Sequence, residues 1–126
     1  MNSIKLNPEL NELYTLNEFI LNKIKEENLQ VNLIVEEIFV NIVNYSETDF
    51  IKVNVGFDNP TLTLEFIDNG KEFNPITHEN PEIPENIEDA QIGGLGIFLT
   101  KEMADEITYD YINGENHLKI IKNVEK

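Results

Sequence analysis

Residues 31–45, VNLIVEEIFVNIVNY, constrain the fold of this chain more than any other stretch. Val31, Val35, Ile38, Ile42 and Tyr45 keep the three-to-four spacing of a helix, and Ile34, Phe39, Val40 and Val43 make it apolar almost all round. Such a helix has to be covered by other elements. The exception is a narrow polar stripe, because Glu37, Asn41 and Asn44 stand at i, i+4 and i+7 and align one carboxylate and two amides on a single face. Most polar stripes on helices face water, so a functional reading of this one needs support from elsewhere in the chain.

The flanking segments predict what covers it. Residues 3–7 alternate briefly like an edge strand, and Asn7 followed by Pro8 suits the cap and first turn of a helix that carries Leu10, Leu13, Leu16 or Asn17, Ile20 and Ile24 through about Glu27. After the apolar helix closes near 46–49, residues 50–57 and 61–67 alternate with period two around Asp58-Asn59-Pro60, which reads as a hairpin. Asp68-Asn69-Gly70 ends the second strand. Residues 71–92 contain Pro75, Pro81 and Pro84 and little periodicity, a long loop for so short a chain. Gly93-Gly94-Leu95-Gly96 then opens a helix to about Ala104, with Ile97, Phe98 and Met103 as candidate buried positions, and residues 106–112 and 117–122 form a second hairpin around Asn113-Gly114-Glu115-Asn116. This order predicts one α+β domain spanning residues 1–126, with helices on one face of a mostly antiparallel sheet.

Composition narrows the function classes. The chain has 126 residues and a formal net charge of −15, from 24 carboxylates and nine lysines without arginine. Nucleic acid and anionic membranes are therefore poor expected partners, since both demand concentrated positive charge. A basic protein partner and plain solubility both remain readings of the acidity. With no long apolar run, no leader pattern and no cysteine, the expectation is a cytoplasmic protein without disulfides, thiolate metal sites or a cysteine nucleophile.

Several residues could carry chemistry. Asp68-Asn69-Gly70 is an ordinary turn sequence as much as a site. Three glycines at Gly93, Gly94 and Gly96 cost backbone entropy, and at a helix start they expose N–H groups suited to phosphate. His78 and His117 share no ligand spacing with other His or Cys, and Ser46 sits on no nucleophile elbow.

Taken in order, E-x-x-x-N on the helix, D-x-G-x-x-F-N-P (Asp68, Gly70, Phe73, Asn74, Pro75) and G-G-L-G-I-F-L (residues 93–99) form a three-part pattern. It resembles the GHKL ATPase superfamily, and within it the small anti-sigma factor serine/threonine kinases of bacteria, from about Leu6 to Lys122 and including the D-E-I-T-Y strand. The resemblance implies a two-layer α/β sandwich of the Bergerat type with a nucleotide lid over about 71–92. It implies ATP and Mg²⁺ as cofactors, Glu37 as general base, Asn41 as Mg²⁺ ligand with Asn44 in support, and Asp68 as acceptor for the adenine amino group. Gly70 would leave room for the base, Gly94 and Gly96 would offer N–H groups to the phosphates, and Lys101 would help minorly. The chemistry agrees, because a hard ion is satisfied by one amide oxygen, phosphates and water, and a carboxylate one turn away can activate a hydroxyl. The activity implied is transfer of the γ-phosphoryl group to a protein antagonist, with alternate binding of a sigma factor by a homodimer. An ATP/ADP-sensing interaction module without transfer and a histidine-kinase catalytic domain are the rival readings. Ile38, Ile42 and Tyr45 depart from the small residues and histidine usual in relatives, and the lack of arginine removes their arginine contacts to partners.

Overall fold

The computed structural model describes residues 2–72 and 100–124. They form β1 (Asn2–Leu6), α1 (Glu12–Ile24), α2 (Leu29–Asn41), β2 (Ile51–Asp58), β3 (Thr61–Asp68), β4 (Glu106–Ile112) and β5 (Glu115–Asn123). α2 runs on into a π turn, Ile42–Ser46, and residues 100–103 are helical. The long loop, the glycine-rich segment and most of the helix expected after it lie outside the described residues, as do Phe73, Asn74, Pro75, His78, Gly94 and Gly96.

The strands build one antiparallel sheet in the order β1-β2-β3-β5-β4. Period-two alternation sorts its faces. Val53, Phe66, Leu118 and Tyr109 stand side by side across four strands on the covered face, while Lys52, Asn54, Glu65 and Lys119 point the other way. Leu16 and Ile20 of α1 and Val31, Ile34, Val35, Ile38 and Phe39 of α2 complete a single core against the sheet. Each fully buried side chain of this kind contributes roughly 1.5–3 kcal/mol, so the apolar layer dominates the stability and polar groups at its end can serve other ends. The two-layer α+β arrangement is the one expected.

Local differences have local causes. α1 starts at Glu12 and not at Pro8, because Glu9 N–H turns back to the Asn7 carbonyl at 2.8 Å and Glu12 N–H to that of Glu9 at 3.0 Å. Lys25 adopts a left-handed conformation and closes α1, and the Asn28 side chain accepts the Val31 N–H at 3.1 Å and caps α2. In the second hairpin Asn113 and Gly114 both have positive φ, a two-residue turn, so Glu115 and Asn116 belong to β5 and not to a four-residue loop.

Candidate functional site

Phe66 and Asp68 are two residues apart on β3, so the buried face of the sheet continues past an aromatic ring to a carboxylate. Across the ladder Asp68 lies opposite Asn116 of β5. Above them comes the end of α2: Ile38, Asn41, Ile42, Tyr45 and Ser46 line a pocket of about 100 Å³ together with Phe66, Asp68, Lys71, Tyr109, Asn116 and Leu118. Its floor is apolar and its polar groups converge at one end.

Asp68 is 4% exposed and held on one oxygen. Oδ1 accepts from Ser46 Oγ at 2.5 Å, from the Gly70 N–H at 2.9 Å and from Asn116 Nδ2 at 3.0 Å. Oδ2 takes no part in these bonds. Asn116 Nδ2 also donates to the Lys71 carbonyl at 2.7 Å, and Tyr109 donates its hydroxyl to Asn116 Oδ1. The carboxylate is therefore fixed by three donors, one of them itself held by Tyr109 of β4, which is the pre-organisation a specific polar contact needs.

The Asp68-Asn69-Gly70 triplet does more than turn. Asn69 Oδ1 accepts from Thr48 Oγ1 at 2.7 Å and from the Asp49 N–H at 2.8 Å, and the Lys71 N–H donates to the Ser46 carbonyl at 2.8 Å. A Cβ on Gly70 would stand 1.9 Å from Ser46 Oγ and 2.1 Å from the Ser46 carbonyl oxygen. The space that a Cβ on Gly70 would need is taken by Ser46, at the end of the π turn that follows α2.

The polar stripe splits at the pocket. Asn41 lines it, while Glu37 and Asn44 lie further round the helix towards solvent, Glu37 half-buried and Asn44 exposed. Asn41 Nδ2 is buried with no hydrogen-bond partner, an amide poised for a group that these residues do not supply. Burial pushes the Glu37 carboxyl above the ordinary glutamate range, and the neighbouring Glu36 carboxylate pushes it the same way. Stability from this group is full below the ordinary glutamate range and is lost as pH rises through the raised value. Glu37→Gln is accordingly expected to raise the melting temperature slightly at neutral pH and to lose that advantage below about pH 4. Thermal melts across pH check it; an advantage that grows on acidification would be the wrong sign.

Lys101 sits half-buried on the helical residues 100–103 and is not among the residues lining the pocket. Among the described residues no group of three or more His, Asp and Glu could hold a metal, and His117 stands on the outer face 3.5 Å from Glu115 and 3.9 Å from Glu65. Mg²⁺ would fit only as an ion carried largely by phosphates, with the carbonyl oxygen of Asn41 as the protein's ligand; the buried, unpartnered Nδ2 is a donor and cannot coordinate a cation.

The chain matches the family of the histidine kinase-like ATPase domain over residues 14–122. It belongs to that family, within the GHKL superfamily. Membership makes this an ATPase-type domain and supports nucleotide binding. A curated relative, the serine/threonine-protein kinase BtrW of Bordetella bronchiseptica, is 30% identical over 59 residues, 47% of this chain and 42% of that protein. The chain thus matches less than half of that relative's length. Among solved structures, the histidine kinase AdeS of Acinetobacter baumannii matches with a TM-score of 0.53 at 12% identity, over 100% of this chain and 69% of that one. The catalytic domain of histidine kinase ThkA matches with a TM-score of 0.52 at 12% identity, over 98% and 97%. These likenesses establish the shared fold.

Sequence reasoning singled out Asp68, Gly70 and Asn41 but missed Ser46, Tyr109 and Asn116. Asn113-Gly114 was the usable signal for Asn116: as a two-residue turn it starts β5 early and sets Asn116, Leu118 and Ile120 on one face. Nothing local marks Ser46 or Tyr109, whose roles depend on which strand and helix end meet.

Proposed function

We propose that this chain binds ATP in the pocket between α2 and the sheet and acts as a serine/threonine kinase of the anti-sigma type. The observation that carries the nucleotide reading is Asp68, whose Oδ1 is saturated by three donors while Oδ2 remains to accept from the adenine amino group. A guanine carbonyl at that position would meet an acceptor, so adenine is preferred. The apolar floor of Ile38, Phe66 and Leu118 would take the ring.

Glu37, one turn before Asn41, is the proposed base. It takes the proton of the acceptor hydroxyl as that oxygen bonds to the γ-phosphorus and the β–γ bridging oxygen leaves with ADP. Its raised pKa improves it as a proton acceptor. Asn41 would hold Mg²⁺, which when bound offsets phosphate charge. The phosphates would meet the N–H groups of Gly94 and Gly96, with Asn44 and Lys101 in secondary roles. The acceptor would be a serine or threonine on a protein antagonist and the regulated partner a sigma factor, with the kinase a cytoplasmic homodimer; BtrW, itself named a serine/threonine-protein kinase, supports the kinase reading.

ATP with Mg²⁺ at about 100 times its dissociation constant is expected to add about 2.7 kcal/mol, a rise of about 10 °C in melting temperature, whereas GTP adds little. No shift with ATP would end the nucleotide reading. Radiolabel transferred to an antagonist and abolished by Glu37→Ala supports the kinase; ATP binding with no transfer to any candidate supports the sensing module instead.

A further inference from the structure

The outer surface of the helical layer is more apolar than solvation alone explains. Tyr14 and Leu29 are 77% and 73% exposed, and Leu21 and Leu33 are also open to solvent. Tyr14 and Leu21 lie seven residues apart on α1 and Leu29 and Leu33 four apart on α2, so each pair shares a face of its helix. The two helices are joined by only four residues, 25–28, and between them runs a groove of about 340 Å³ with Tyr14, Leu21 and Ile24 in its walls and Glu18 and Glu27 at its rim.

We infer that this face docks a basic amphipathic helix of a protein partner, its leucine-type side chains set between α1 and α2 and its lysines or arginines over the rim. Charge decides the occupant. The groove is lined by three carboxylates, Glu18, Glu26 and Glu27, and by no lysine. A second copy meeting the same face would set these carboxylates against one another, and an anionic membrane would be repelled. A cationic helix gains on both counts, since apolar anchors spaced three to four residues apart match the groove and its positive charges meet the carboxylates there. This groove shares no lining residue with the nucleotide pocket.

A dye-labelled synthetic helix of about 18 residues, built of leucine and lysine with the leucines on one face, is the probe. Fluorescence polarisation with the full chain should show binding that weakens with salt, while a scrambled peptide of the same composition binds at least tenfold more weakly. Tyr14→Ser with Leu29→Ser should reduce affinity roughly tenfold with the melting temperature kept, since both side chains are mostly exposed, and Glu18→Gln with Glu27→Gln should flatten the salt dependence. No binding, equal binding of the scrambled peptide, or affinity untouched by the Tyr14 and Leu29 changes overturns the inference. So does self-association of the chain that those same changes abolish.

Discussion

Gly70→Ala is expected to cost at least about 3 kcal/mol of folding stability, more than an ordinary overpacking change. The added Cβ would fall 1.9 Å from Ser46 Oγ, 2.1 Å from the Ser46 carbonyl oxygen and 2.7 Å from its carbonyl carbon. A side chain could rotate away, but the carbonyl is held by the Lys71 N–H at 2.8 Å, and Ser46 Oγ is committed to Asp68. Relief would require the end of α2 to lift from β3, which opens the pocket as well. Gly114→Ala is the comparison: Gly114 has φ +80° and nothing within 4 Å of the added methyl, so only backbone strain applies, about 1 kcal/mol. Urea unfolding of both variants measures the difference, and equal losses would contradict the close approach of Gly70 to Ser46.

Asp68→Asn should leave the chain folded and lower ATP affinity by roughly a hundredfold or more, equivalent to about 2.7 kcal/mol. The amide oxygen can still accept from Ser46, Gly70 and Asn116, so the network survives with weaker, uncharged bonds. The other arm changes sign: an NH₂ replaces Oδ2 and faces the adenine amino group donor to donor. Isothermal titration with ATP, alongside a melt of the free variant, separates lost recognition from lost structure. A variant that binds ATP as well as the parent would remove Asp68 from the base pocket and the proposed orientation with it.

Much of this arrangement was legible in local pattern. The all-round apolar α2, the two alternating hairpins and the position of Asp68 at a strand end follow from side-chain periodicity, which depends only on backbone geometry. The errors were at boundaries. Glu9 folding back on Asn7 delays α1, and the two-residue Asn113-Gly114 turn lengthens β5 by enough to bring Asn116 into the sheet. That second error concealed a pocket residue, since a shift from loop to strand assigns a side chain to a face.

By itself, then, the chain's order of apolar and polar residues determined the described helices and strands and the covered face of the sheet, and its resemblance to a family singled out Glu37, Asn41, Asp68 and Gly70. Only the tertiary structure decided which of them meet. Asn41 and Asp68 face one pocket because the end of α2 settles on the end of β3. Gly70 is required by Ser46, which is 24 positions earlier in the chain, and Asp68 is oriented by Asn116, 48 positions later. Spacing within a helix or strand is dictated by the backbone's own repeat, whereas contacts between distant segments follow from how the layers pack, and no local pattern encodes that.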